Sequence, residues 1–229
     1  MDQSIAQQRL VKAVRAVAPK HMREINQGKH KTKEIDKPDF LWHRLLVSFA
    51  TMGRATGAKG LIENQSNYRL VKYAALNQLS PPRRKRRVYE TCRKAKVRMP
   101  PTKTRFITEC FEQIQTIGGP QKAKQLLLSQ PDRDAKIKFL KTLSGIGPKY
   151  ARNIMMDVYH KEFRDSIALD SRINAISKNL GLSFPKSCSG YAAHEAFYVK
   201  AAHKAGLNGW ELDRLLFNFG DEVQQEIAR

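Results

Sequence analysis

The sequence is short of acid. Its 229 residues set 21 Asp+Glu against 42 Lys+Arg, a formal charge of +21, which lies outside the range of a neutral metabolic enzyme. Cysteine is scarce as well. Cys92, Cys110 and Cys188 are odd in number and widely scattered, so the close spacing of a zinc site or an iron–sulfur cluster is missing and the three read as buried thiols. No run of about 18 apolar residues occurs, and the opening MDQSIAQQRLVKAV is amphipathic rather than a charged stub followed by an apolar stretch, so neither a membrane span nor a secretory signal is expected. Strand signals are also missing: no alternating run is joined by an Asn-Gly or Asp-Gly turn. A soluble, intracellular, all-α protein is the expectation.

What is present is enough to fold. An apolar content of 41% fits one large domain or two small ones and argues against a disordered basic tail. The charge points to nucleic acid first, because basic clusters release counterions from phosphates, and to an anionic membrane surface second. The stripe Leu10, Val11, Val14 and Val17 reads as the core face of a helix rather than a membrane anchor.

Helical spacing recurs along the chain. The polar stretch 21–39 reads as a connection, and Asp39 is placed to cap a helix from Phe40 to about Thr51. Met52 to Gly60 is glycine-rich and joins two helices. Pro81-Pro82 is followed by Arg83-Arg84-Lys85-Arg86-Arg87, the densest positive segment. It reads as a solvated helix face, a nuclear-import signal or a phosphate contact. Further helices are expected from Lys103 or Thr104 through Ile114, from Pro120 through Leu128, and from Ala135 to Leu143.

The informative segment is Phe139-Leu140-Lys141-Thr142-Leu143-Ser144-Gly145-Ile146-Gly147-Pro148-Lys149-Tyr150-Ala151-Arg152. One helix ends at a Gly-Ile-Gly turn and another starts at once at Pro148, a residue preorganised for a first helical position. This is a helix-hairpin-helix. Its turn amides and the positive end of the second helix make a site for a DNA phosphate that reads no sequence. Ile146 would pin the turn into the core. Downstream lies Ile167-Ala168-Leu169-Asp170-Ser171-Arg172-Ile173, an apolar approach to one acid followed by a small hydroxyl and a base.

Together these two segments resemble the helix-hairpin-helix, Gly/Pro-rich-loop-and-Asp superfamily of DNA glycosylases, the endonuclease III-like superfamily, in its bifunctional branch. The resemblance places Lys149 on the catalytic lysine and Asp170 on the family aspartate. Gly145, Ile146 and Gly147 fall on the hairpin, Ala151 on the small residue that packs its second helix, and Ser171 and Arg172 on backbone contacts to the damaged strand. Met52 and Arg54 fall where relatives wedge a residue into the duplex. The missing four-cysteine cluster points away from the endonuclease III and adenine-glycosylase branches, and the C-terminal segment is similar to that of the compact 8-oxoguanine DNA glycosylases. Trp210, Asp213, Phe217 and Phe219 are similar to the C-terminal helix of those enzymes and are candidates for a base pocket. Their C-terminal lysine is not matched, since this chain ends Ile227-Ala228-Arg229.

The resemblance implies two helical subdomains flanking a DNA-binding cleft: residues 1–58 packing with 160–229, and a central 59–159 subdomain ending in the hairpin. It implies a base-excision-repair glycosylase with AP lyase activity, 8-oxoguanine favoured. An amine at a helix N-terminus among other cations is a competent nucleophile for a Schiff base, and an ionised Asp170 would stabilise the positive sugar. No cofactor or metal is expected; His194 and His203, nine apart, have poor metal spacing. The expected partner is double-stranded DNA with a damaged base, bound by a monomer in the cytoplasm or nucleoid of a prokaryote or the nucleus of a eukaryote. Two readings stay open beside it: a monofunctional glycosylase for alkylated or deaminated bases, with Lys149 only on phosphate, and a non-catalytic DNA-binding protein.

Overall fold

The structure, a computed structural model, describes residues 2–53, 56–185 and 187–229. Among them are thirteen α-helical segments and no strand, as the helical spacing led us to expect. In chain order they are α1 (Gln3–Gln27), α2 (Phe40–Thr51), α3 (Thr56–Ala58), α4 (Gln65–Val71), α5 (Tyr73–Asn77), α6 (Pro81–Lys94), α7 (Pro100–Ile117), α8 (Pro120–Leu128), α9 (Arg133–Lys141), α10 (Pro148–Met156), α11 (Ser171–Asn179), α12 (Cys188–Lys204) and α13 (Gly209–Ala228). None of them is long and apolar enough to cross a membrane. They form two compact units, residues 1–33 with 155–229, and residues 34–154.

In the first unit α1 lies on α13 and α12. Asp2 caps α1 by accepting from the Ser4 amide, and Leu10, Val14 and Val17 are wholly buried, each contributing about 1.5 to 3 kcal/mol by leaving water. Arginines on its other face reach carbonyls near neighbouring helix ends: Arg9 donates to Ile227 O at 2.8 Å and Arg15 to Lys204 O at 2.6 Å, satisfying acceptors with no partner inside a helix. The expected connection 21–39 begins instead as the last turns of α1 and continues as a 3-10 helix, Gly28–Asp36.

A polar knot fixes α11 to α12. Ser177 Oγ lies 2.7 Å from His194 Nε2 and 2.9 Å from Tyr198 OH, which donates to Ile173 O at 3.1 Å. His194 is buried against Phe184, and burial pulls its imidazole down to about 4. Its folded value therefore lies below the 6.5 of an unfolded histidine. The stability it contributes is fully present above about pH 6.5 and is lost as pH falls towards about 4, at roughly 1.4 kcal/mol per unit. His194→Gln keeps a hydrogen-bonding side chain without the titration. The loss of melting temperature between about pH 7 and about pH 5 should be smaller in this variant than in wild type when followed by thermal denaturation. His203 is exposed and sits 2.8 Å from Asp165.

The second unit is built around α2, which contacts α7 and α8, so the boundary falls before Phe40 and not near residue 58. The reason is the apolar face of α2: Trp42 is buried, donates to Val71 O at 3.0 Å, and meets Tyr73 and Phe111 edge-on. The basic run 83–87 is helical, and its members divide between faces. Arg84 shares the inward side of α6 with Val88, Thr91 and Cys92. It donates to Leu76 O and Leu79 O and lies 3.8 Å from the Phe111 ring centre. One of the five cations is thus a core residue, which removes it from a continuous import signal or phosphate track. Cys92 and Cys110 are buried, with thiols pushed up to about 12 by that burial; Cys188 is exposed, against expectation, because it stands in the first turn of α12.

Candidate active site

The hairpin belongs to the 34–154 unit and is held by α7. Asp132 starts α9 by accepting from the Ala135 amide. After that helix ends, the Ser144 amide donates to Gln113 Oε1 at 3.0 Å, Gln113 Nε2 donates to Thr142 O at 2.9 Å, and Cys110 Sγ donates to Ser144 O at 3.3 Å. The Ser144 hydroxyl also donates to the Glu109 carboxylate. Gly145 then turns with φ of +75°, and a Cβ there would stand 2.6 Å from the Phe106 ring, so both backbone and space require glycine. Ile146 is buried, its amide donating to Leu143 O at 3.1 Å. Gly147 faces open space, and its carbonyl accepts from the Ala151 amide at 3.0 Å. Lys149 is half-buried in the first turn of α10, with its ammonium 5.2 Å from the Tyr150 ring centre.

The acidic segment belongs to the other unit. Residues 167–169 are non-helical, and each amide is taken by a side chain from α12 or α13. Ile167 donates to Glu195 Oε1 at 3.1 Å, Ala168 to Asp213 Oδ1 at 2.8 Å, and Leu169 to Tyr191 OH at 3.1 Å. The chain is thereby delivered in one conformation to Asp170, the N-cap of α11. Asp170 Oδ1 accepts from the amides of Arg172 and Ile173 at 2.9 and 3.1 Å, and Oδ2 lies 3.7 Å from Arg172 Nη1. Ser171 and Arg172 are exposed beside it.

Arg172 leads onward, its guanidinium 4.2 Å from the ring centre of Phe217. Phe217, 47% exposed, lines a cavity of about 210 Å³ with Trp210, Gly28, Glu24, Asp157 and Arg214. Trp210 is fixed by donating from Nε1 to Met156 O at 2.7 Å, and its ring lies 2.9 Å from where a Gly28 Cβ would stand. Of the expected base-pocket residues the cavity thus includes Trp210 and Phe217 and omits Asp213. That carboxylate is buried and spent on the Ala168 amide, and burial pushes it up to about 6. Phe219 stacks on His21 at 3.6 Å instead of lining the cavity.

Arg54 lies outside the described residues. Met52 is engaged by Lys103, whose ammonium is 3.0 Å from its sulfur. The most exposed large apolar side chain among the described residues of this unit is Met99, which the sequence reading passed over: it is 56% exposed, with φ of +53° just before Pro100-Pro101. Glu195 and Tyr191 were missed as well, although their four-residue spacing after a serine N-cap places them on one face of α12. Glu24 and Asp157 carry no local signal. Among the described residues no group of three His, Cys, Asp or Glu is arranged to hold a metal ion.

No family model matches the sequence, and no curated protein matches it. Solved structures do. The 8-oxoguanine DNA glycosylase of Thermotoga maritima superposes with a TM-score of 0.70 at 19% identity, over 92% of this chain and 95% of that one. The 8-oxoguanine DNA glycosylase of Methanocaldococcus jannaschii gives 0.71 at 16% identity, over 96% and 98%. The glycosylase/lyase of the same organism in complex with a 15mer DNA containing 8-oxoguanine gives 0.70 at 16%, over 92% and 97%. The fold of this chain is the fold of those enzymes.

Proposed function

We propose that this chain is a DNA glycosylase with AP lyase activity that excises 8-oxoguanine. One observation carries the reading: on a fold shared almost end to end with 8-oxoguanine glycosylases, the single acid delivered by three side-chain clamps is Asp170, while Lys149 opens the helix after the hairpin. Asp170 also caps α11, so its charge rather than its presence separates catalysis from phosphate contact, and Asp170→Asn tests that charge.

The chemistry follows from the two groups. The Lys149 amine attacks C1′ of the extruded nucleotide, the glycosidic electron pair leaves with the base, and the amine proton passes to the departing base or to solvent. The sugar ring opens to an iminium, a proton is lost from C2′, and the 3′ phosphate departs with its bonding pair, nicking the strand. Asp170, its Oδ1 fixed by two backbone amides, faces the positive charge that develops on the sugar. The hairpin amides and Arg172 take backbone phosphates, and Trp210 with Phe217 supplies the aromatic wall an extruded base needs. Met99, exposed and apolar between Arg98 and Pro100, suits insertion between base steps. The partner is double-stranded DNA, engaged by one copy of the chain.

Purified protein incubated with a duplex carrying one 8-oxoguanine should release that base and nick the strand at the same position, while the undamaged duplex stays intact. Base release without a nick would favour the monofunctional reading, and neither product the non-catalytic one.

A further inference from the structure

The cavity next to Phe217 is anomalous in its charge. In a chain with twice as many cations as acids, it sets two carboxylates, Glu24 and Asp157, against one guanidinium, Arg214, beside two aromatic walls. Carboxylates repel the phosphates a basic DNA-binding protein collects, so their presence calls for a ligand that gives hydrogen bonds and carries no negative charge. Asp157 is steadied by Arg214, whose Nη2 lies 3.1 Å from Oδ1. The carboxylate of Glu24 makes no ion pair or hydrogen bond to any described residue. A carboxylate is acceptor-only, with about four lone-pair sites on its two oxygens, so Asp157 can accept an N–H beside its bond to Arg214 and Glu24 can take two parallel N–H groups.

We propose that Glu24 and Asp157 are the specificity-determining residues of this cavity and select a base that presents adjacent N–H donors, the N1–H and exocyclic amine of a guanine-type edge. The proposal rests on the glycosylase reading of this chain. An adenine-type edge turns the N1 lone pair towards the carboxylates, and a pyrimidine such as uracil flanks its one N–H with two carbonyl oxygens, so both are repelled where guanine-type bases are held. At about 210 Å³ the cavity takes one purine ring system. Asn218 and Arg214 at its wall supply donors for the carbonyl oxygens of an oxidised guanine.

The test removes the donor from the base and the acceptor from the protein in turn. Single-turnover excision is measured on duplexes carrying 8-oxoguanine or 8-oxohypoxanthine, which lacks only the exocyclic amine, with wild type, Glu24→Gln and Asp157→Asn. Every rate is divided by borohydride trapping of the same preparation on an abasic duplex. Wild type should prefer 8-oxoguanine by about tenfold or more, and each variant should lose about tenfold on 8-oxoguanine with far smaller loss on 8-oxohypoxanthine, so that the two deletions are not additive. Equal proportional losses on both bases, or no loss in either variant, would overturn the assignment. Glu24→Gln guards against a folding artefact, because that exposed carboxylate supports no other residue. Wild-type protein that neither excises nor traps would overturn the glycosylase reading and this proposal with it, whereas trapping with unchanged variants overturns this proposal alone.

Discussion

Lys149→Gln is expected to lower strand incision at 8-oxoguanine by about 10⁴-fold or more, the usual scale for removing a covalent nucleophile. Glutamine keeps the reach and polarity of the side chain and removes the amine. Lys149 is half-buried in the first turn of α10, and glutamine is nearly as good a helix former as lysine, so the variant should melt within about 1 kcal/mol of wild type. Binding to undamaged duplex should weaken only slightly, with the slope of log affinity against log salt falling by about one at most. A lysine that merely touched phosphate would give the reverse: a comparable loss in binding and in rate, both within about tenfold. Incision and salt-dependent binding measured side by side separate the two.

Asp170→Asn should cost activity and leave the fold alone. Asparagine caps helices as well as aspartate, so its side-chain oxygen can still accept from the Arg172 and Ile173 amides. What it lacks is charge. A carboxylate about 5 Å from a sugar cation in a site of effective dielectric near 20 stabilises it by about 3 kcal/mol, or roughly 200-fold in rate. Asp170→Ala should lose the same activity and also about 1 kcal/mol of stability, because the cap goes with the charge. Thermal denaturation and single-turnover excision of the two variants therefore give different orders: equal in rate, unequal in melting. If Asp170→Asn excises at the wild-type rate, Asp170 is a helix cap and nothing more.

Much of this was legible in the sequence because it is local. The hairpin is encoded by Gly145, whose positive φ requires glycine, and by Pro148, which opens α10, requirements that act within a few residues, and the cap at Asp170 by an acid standing between an apolar approach and a helical run. The long-range part was not legible. Asp213 reads as a base contact from its place among aromatics on α13; only the fold brings it to the Ala168 amide, 45 positions away in sequence. Glu195 and Tyr191 look like ordinary helix polarity until residues 167–169 pass beside them. Arg84 looks like one more surface cation, yet the 3.6-residue period turns it onto Phe111. Glu24 and Asp157 are separated by most of the chain and meet only because α1 packs on α13.

The central claim is that Lys149 forms a covalent bond to the damaged nucleotide. Borohydride reduction during reaction with an 8-oxoguanine duplex, followed by proteolysis and mass spectrometry of the cross-linked peptide, tests it directly. The expected adduct maps to Lys149 and is absent on undamaged duplex. An adduct on any other residue, or complete base release with no adduct, would contradict it.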